Sequence, residues 1–174
     1  DILQLTADGL IAKYGQPDFI WASPPCQKFS VASIGHYWTG GRGNCVPKRP
    51  EVFEAIALVG HTIKLMQDLK PTHGWIMENP RGMLRKQDVV KDLKRWTITY
   101  CQYGDTRMKP TDIWTNVDLE LLPVCKNGDS CHVSAPRGSK TGTQGIKTYK
   151  DRSRIPKLLC ISILDQLTNP KGDT

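Results

Sequence analysis

The chain reads as a layered α/β domain. Three observations predict this. Short apolar runs each end in a polar or proline-containing loop. One long segment with a helical period lies between the first two runs. The order along the chain is strand, loop, helix, strand, strand, strand, helix. Asp18-Phe19-Ile20-Trp21-Ala22 follows the turn Gly15-Gln16-Pro17 and ends at Ser23-Pro24-Pro25, the pattern of a buried strand entering a rigid loop. From Ser33 to Pro50 there is no period, and glycine and proline recur, which predicts a long loop. Pro50 to Leu69 is predicted as a helix, because Val52, Ile56, Val59, Ile63 and Met66 recur at spacings of three and four. Pro50 suits its first turn, Glu51 and Glu54 suit the positive end of its dipole, and Lys70-Pro71 stops it. Trp75-Ile76-Met77, ending in Glu78-Asn79-Pro80, reads as the next strand, followed by Trp96 to Tyr100 and Asp112 to Thr115. Pro156 to Leu167 closes the chain as a helix with Leu159, Ile163 and Leu167 on one face. In open sheets of this kind a ligand sits beyond the carboxyl ends of the strands. Cys26 and Glu78 follow the first two strands and would face one crevice.

With 174 residues the chain suffices for one domain with a core and is short for two, so 1–174 is read as a single domain. No run approaches the roughly 18 apolar residues of a membrane span, so no membrane partner is expected. Nor do the first residues, Asp1-Ile2-Leu3-Gln4-Leu5-Thr6, resemble a signal peptide. The 24 Lys and Arg against 17 Asp and Glu leave a net charge of +7, a balance that favours a polyanionic partner, most often nucleic acid. The six cysteines are an even number, but a chain of this length does not depend on disulfides, and reduced thiols in a cytosol are expected.

Ser23-Pro24-Pro25-Cys26-Gln27-Lys28-Phe29-Ser30 is the sharpest local signal. Two prolines stiffen the approach to one thiol, and the polar residues after it suggest an open pocket. A cysteine in a turn at a strand end is a nucleophile if backbone N–H groups favour its thiolate; otherwise it is a structural residue beside a tight turn. Met77-Glu78-Asn79-Pro80-Arg81-Gly82 sets a carboxylate directly after an apolar strand. Burial there would make Glu78 a proton donor near neutral pH, whereas pairing with Arg81 or Arg85 would make it structural. Locally, both pairs of readings stay open.

Taken together the two motifs resemble those of the cytosine-C5 methyltransferases. That family carries a Pro-Cys-Gln nucleophile motif and a Glu-Asn-Val motif at the ends of sheet strands, here Pro25-Cys26-Gln27 and Glu78-Asn79-Pro80. Tyr103-Gly104 with Arg107, Lys109 and Thr111 resembles the next family block, and Arg152-Ser153-Arg154-Ile155-Pro156 the closing one. Asp1-Ile2 resembles the acidic position that meets the cofactor adenine. Residues 102–114 and 136–145 are similar to a small branch common in bacteriophage genomes.

The resemblance implies a Rossmann-like sheet with helices on both faces, S-adenosylmethionine as methyl donor and double-stranded DNA as substrate, in the cytoplasm of a bacterial or phage-infected cell. It implies DNA modification as defence against restriction. Cys26 would add to cytosine C6, Glu78 would hold N3 and the exocyclic amine, and Arg107 or Lys109 would contact the base or its phosphates. The target base would be flipped out of the duplex. Asp1, Ile2, Pro24 and Ser153 would meet the cofactor. Gln27, Ser30, Arg81, Arg137 and Lys140 would meet nucleic acid, although Arg137, Lys140 and Lys147 also read as a solvated loop. Residues 35–43 look like the loop that closes over DNA, where Trp38 could touch it. Residues 119–145 leave room for a short target-recognition region.

The chain departs from the family in three ways. No Phe-x-Gly-x-Gly loop precedes Asp1, so the cofactor-loop segment is expected to be missing from this sequence. Pro80 stands where the family has Val, and Lys109 and Thr111 stand where it has arginines. Cys125 and Cys131 with His132 could hold a metal, with Cys101 as a fourth ligand, but Cys-x5-Cys is wider than a usual zinc knuckle. The expected reading is a polar turn and no metal. The motifs leave two rivals, an RNA cytosine methyltransferase and a cofactor-deficient DNA-binding relative. Oligomeric state is not legible.

Overall fold

The computed structural model of the protein describes residues 1–40, 46–134, 146 and 148–169. In chain order its helices and strands are α1 (Ala7–Tyr14), β1 (Ile20–Ala22), α2 (Ile34–Tyr37), β2 (Trp38–Thr39), β3 (Val46–Pro47), α3 (Pro50–Leu69), β4 (Trp75–Pro80), β5 (Arg95–Thr99), β6 (Pro110–Thr115), α4 (Tyr149–Ser153) and α5 (Lys157–Thr168). The fold is α/β, as expected. Four strands form one sheet in the order β1-β4-β6-β5, and β2 and β3 form a separate antiparallel ribbon. By its internal contacts the chain divides into two compact units, residues 1–96 with 112–118 and residues 97–111 with 119–174.

In the first unit β1 and β4 run parallel, with Ile20 opposite Trp75, Trp21 opposite Ile76 and Ala22 opposite Met77. Parallel neighbours need a crossover, and α3 lies on that connection. The helix has the bounds its period predicts. Pro50 occupies the first turn with Glu51, and Lys70 closes the helix in the left-handed region (φ 45°) before Pro71. Val52, Val59, Ile63 and Met66 are buried on its inner face, and Ile56 is partly buried. They join Phe29, Trp38, Trp75, Met77, Met83, Leu84, Val90 and Trp114 in one apolar core. Fully burying side chains of this size is worth roughly 1.5–3 kcal/mol each.

Two expectations are corrected here. The described part of the 33–50 segment is not a featureless loop, because it carries α2, β2 and β3. Trp38 is not presented to a ligand: it is 4% exposed, its indole N–H donates to the Lys28 carbonyl (2.6 Å), and its ring packs 6.3 Å from that of Phe29. Alternation and period say nothing of which way a loop tryptophan turns; the apolar face of Phe29 decides it.

In the second unit α5 buries Leu159, Ile163 and Leu167, the face the sequence marks. A 3-10 turn at Tyr100–Tyr103 follows β5 and ends at Gly104, which has φ 82°. A Cβ at Gly104 would also lie 3.1 Å from Leu158 Cδ1, so both the backbone conformation and the packing call for glycine.

Candidate active site at the ends of two parallel strands

β1 ends at Ala22, and the rigid Ser23-Pro24-Pro25 approach delivers Cys26 to a turn. The Cys26 carbonyl accepts from the N–H groups of Phe29 (3.0 Å) and Ser30 (2.9 Å), and its thiol side is half-buried. Ser30 caps the following 3-10 turn, Val31–Ser33, by accepting from Ala32 N–H (3.3 Å). The Lys28 ammonium donates to Tyr37 Oη (2.9 Å) and lies 4.3 Å from that ring's centroid. Together with the Trp38 indole this holds the turn from the far side. Gln27 is exposed, with its carbonyl taken by Ser33 Oγ (2.6 Å).

Beside this turn β4 runs further than the sequence predicts. Glu78 and Asn79 belong to the strand itself, which continues to Pro80. Glu78 is 5% exposed and Asn79 is fully buried. Beyond Met77 the strand has passed its register with β1, and its other neighbour in the sheet is β6. Asn79 Nδ2 donates to the Pro24 carbonyl (2.8 Å), joining the ends of β1 and β4. A second tie follows, from Met83 N–H to the Phe29 carbonyl (2.7 Å). Gly82 lies against the same carbonyl so closely that a Cβ there would fall 2.1 Å from Phe29 O. Cys26 and Glu78 therefore stand on neighbouring parallel strand ends whose loops are fastened backbone to backbone. Asn79 and Gly82 were not singled out from sequence; an Asn-Pro pair and a glycine directly after a catalytic-type motif are the signals that could have found them.

Arg81 is exposed. Arg85 forks onto Asp112, Nε to Oδ2 at 2.8 Å with a second contact from Nη2 to Oδ1, and the Asp112 side chain is fully buried. Pro24 is buried and Asp1 exposed, with one Asp1 carboxylate oxygen accepting from Leu3 N–H (3.1 Å). Ile2 is half-buried. A cavity of about 490 Å³, lined by Met66, Lys70, Trp75, Leu93 and Thr115 among others, opens at the amino end of β4 and contains none of these site residues.

The second unit holds the remaining candidates. Arg107 is clasped by Asp105, with Nε 2.8 Å from Oδ1 and a further contact from Nη2 to Oδ2. It also donates to the carbonyls of Asp151 (3.1 Å) and Arg154 (3.4 Å). Burial works to raise the Asp105 pKa, but the Arg107 guanidinium outweighs it and holds the carboxyl below its ordinary value. Lys109 donates to the Arg152 carbonyl (3.2 Å) and sits 4.7 Å from the Tyr100 ring centroid. Ser153 is exposed and donates to the Lys150 carbonyl (3.1 Å). Arg137, Lys140 and Lys147 lie outside the described residues, as do residues 41–45 of the loop after Cys26.

Cys101, Cys125, Cys131 and His132 come together in this unit. Sγ of Cys101 lies 3.1 Å from that of Cys125 and 3.6 Å from that of Cys131. His132 Nδ1 lies 3.7 Å from Cys125 Sγ and 3.5 Å from Cys131 Sγ. Burial, with the neighbouring Cys125 thiol, pushes the Cys101 thiol up to about 12. The five described cysteines are all outside disulfides.

Sequence comparison finds a similarity to one DNA (cytosine-5)-methyltransferase, the class that the motifs resemble. The chain is 26% identical over 162 residues to a protein of Frog virus 3 (isolate Goorha) named probable DNA (cytosine-5)-methyltransferase, a match covering 85% of this chain and 74% of that protein. No family model matches. Among solved structures, the Entamoeba histolytica methyltransferase EhMeth is similar over 70% of this chain at 10% identity and a TM-score of 0.45; the match spans 39% of that chain's length. Among the described residues no helix is long and apolar enough to cross a membrane.

Proposed function

We propose that the protein transfers a methyl group to C5 of cytosine in double-stranded DNA, in the cytoplasm of a bacterial or phage-infected cell. The observation that carries this reading is the pair Cys26 and Glu78 on adjacent parallel strand ends, fastened through Asn79 and Pro24. Cytosine C5 is a poor nucleophile. A Cys26 thiolate adding at C6 forms an S–C6 bond and moves electron density to C5. Glu78, held rigid in its strand, holds N3 and the exocyclic amine as charge develops there. C5 then takes the methyl group. Loss of the C5 proton to a base, for which a water suffices, restores the C5–C6 double bond and expels the Cys26 thiolate. Arg107 or Lys109 contacts the base or its phosphates, and Gln27, Ser30 and Arg81 meet the DNA beside Cys26.

The residues present fit S-adenosylmethionine in part. Asp1 offers an exposed carboxylate for an amine or hydroxyl, Ile2 offers a partly exposed apolar face, and Pro24 shapes the site without donating. That group supplies an electrophilic methyl when bound; everything else falls to Cys26 and Glu78.

Labelled S-adenosylmethionine and unmethylated duplex DNA test the reading. Label should appear in 5-methylcytosine with the wild-type protein and be abolished in Cys26→Ala. DNA bound in a salt-dependent way without label would overturn methylation of DNA, and transfer to tRNA in competition would reassign the substrate to RNA.

A further inference from the structure

We propose that Cys101, Cys125, Cys131 and His132 bind a structural zinc ion that pins residues 119–134 to the turn after β5. The site is independent of the reaction proposed above.

The four ligand atoms all lie within 4.8 Å of one another, although they come from the 3-10 turn at Tyr100–Tyr103 and from a segment that begins 24 residues later. Zinc bonds of about 2.3 Å to sulfur and 2.0–2.1 Å to nitrogen, set on a tetrahedron, demand S···S edges of about 3.8 Å and S···N edges of about 3.6 Å. The observed S···N distances of 3.5 and 3.7 Å match, as does the S···S distance of 3.6 Å between Cys101 and Cys131. The Cys101–Cys125 separation, 3.1 Å, is tighter than that edge, yet far from the roughly 2.05 Å of a disulfide. A disulfide between any two would still leave a third thiol and an imidazole in the same place.

The surrounding backbone is built to bring these groups together. Cys125 N–H donates to Thr99 Oγ1 (3.0 Å). Asp129 Oδ2 accepts from Lys126 N–H (2.7 Å), and Gly128 sits at φ 98°, so the chain turns back on itself between Cys125 and Cys131. Val133 N–H donates to the Thr106 carbonyl (3.0 Å) just beyond the last ligand. His132 Nδ1 faces the sulfurs, while its buried Nε2 has no hydrogen-bond partner among the described residues, so the sulfurs are what orient the ring.

The segment needs such a staple. Leu119 anchors its start at 4% exposed, but beyond it Leu122 and Val124 are each 47% exposed and Val133 73%, so the later part of the segment gains little from apolar burial. Three thiolates and one imidazole select a soft or borderline ion with tetrahedral preference over magnesium or calcium, and four protein ligands close the site to substrate. On binding, the three cysteines lose their thiol protons to solvent and His132 binds neutral.

The protein, purified reduced without chelator, should retain about one zinc by elemental analysis. Replacement by cobalt(II) should give the visible d–d bands and sulfur-to-cobalt charge transfer of a tetrahedral thiolate site. Chelation should expose three additional thiols to a thiol reagent and lower the melting temperature. Cys125→Ser and His132→Ala should lose the metal, whereas His132→Cys and the distant Cys160→Ser should keep it. Where a variant fails to fold, the cobalt spectrum and thiol count of the wild-type chain decide. Zinc no higher than in Cys125→Ser, a cobalt spectrum without thiolate charge transfer, or a mass two hydrogens short from a Cys101–Cys125 disulfide would each overturn the proposal. Bound iron in place of zinc would overturn the identity of the ion.

Discussion

Gly82 is the residue on which the two catalytic-type motifs depend most directly. Its missing side chain lets the loop after β4 close on the Phe29 carbonyl, and a methyl group 2.1 Å from a backbone oxygen cannot be absorbed by a rotamer change. We expect Gly82→Ala to lower stability in urea by about 1–3 kcal/mol and to reduce methyl transfer at least as strongly as stability. Gly35→Ala, where a Cβ meets nothing within 4 Å, should not lower stability; an equal loss of stability in the two variants would contradict the close approach. Trp38 acts from the other side of the same turn. Trp38→Phe keeps the ring against Phe29 but strips the Lys28 carbonyl of its donor, and should cost about 1–2 kcal/mol by the same urea measurement.

Among the elements, the 3-10 turn after β5 and the stretch to Lys109 are held by the Asp105–Arg107 pair. The Asp105 carboxyl is held below its ordinary pKa, so its contribution to stability is fully present above the unfolded value of about 3.9 and is lost as pH falls through the folded value. Asp105→Asn should therefore be less stable than wild type at neutral pH, and the two unfolding midpoints should converge below about pH 4. A gap that stayed constant with pH would show that the carboxylate charge is not what holds Arg107. The β4 strand makes a different point. Its apolar triplet was legible, but its extension through Glu78 and Asn79 was not, because both residues are polar and are buried only by the folded chain around them. A strand read from hydropathy ends where the apolar residues end; a hydrogen-bonded strand ends where its partners do.

For the whole molecule, a net charge of +7 and the exposed Arg81 beside the Cys26 turn set the terms of association with a polyanion. Duplex binding should weaken linearly in log affinity against log salt, with a slope of about −0.9 for each phosphate neutralised. Arg81→Ala should flatten that slope by about one unit without changing the melting temperature. An unchanged slope would remove Arg81 from the DNA-binding surface.

The sequence by itself determined the α/β class, the bounds of the long helix and its buried face, the closing helix, and the two motifs that resemble those of the cytosine-C5 methyltransferases. These are local properties: period, capping and the chemistry of a few adjacent residues. Tertiary structure alone decided that Trp38 turns inward, that Asn79 and Gly82 fasten the two strand ends, that Arg107 is clasped by Asp105, and that Cys101 meets Cys125, Cys131 and His132. Each of those depends on which backbone atoms or sulfurs approach one another after the chain has folded back, and the spacing of residues along the sequence does not encode that distance.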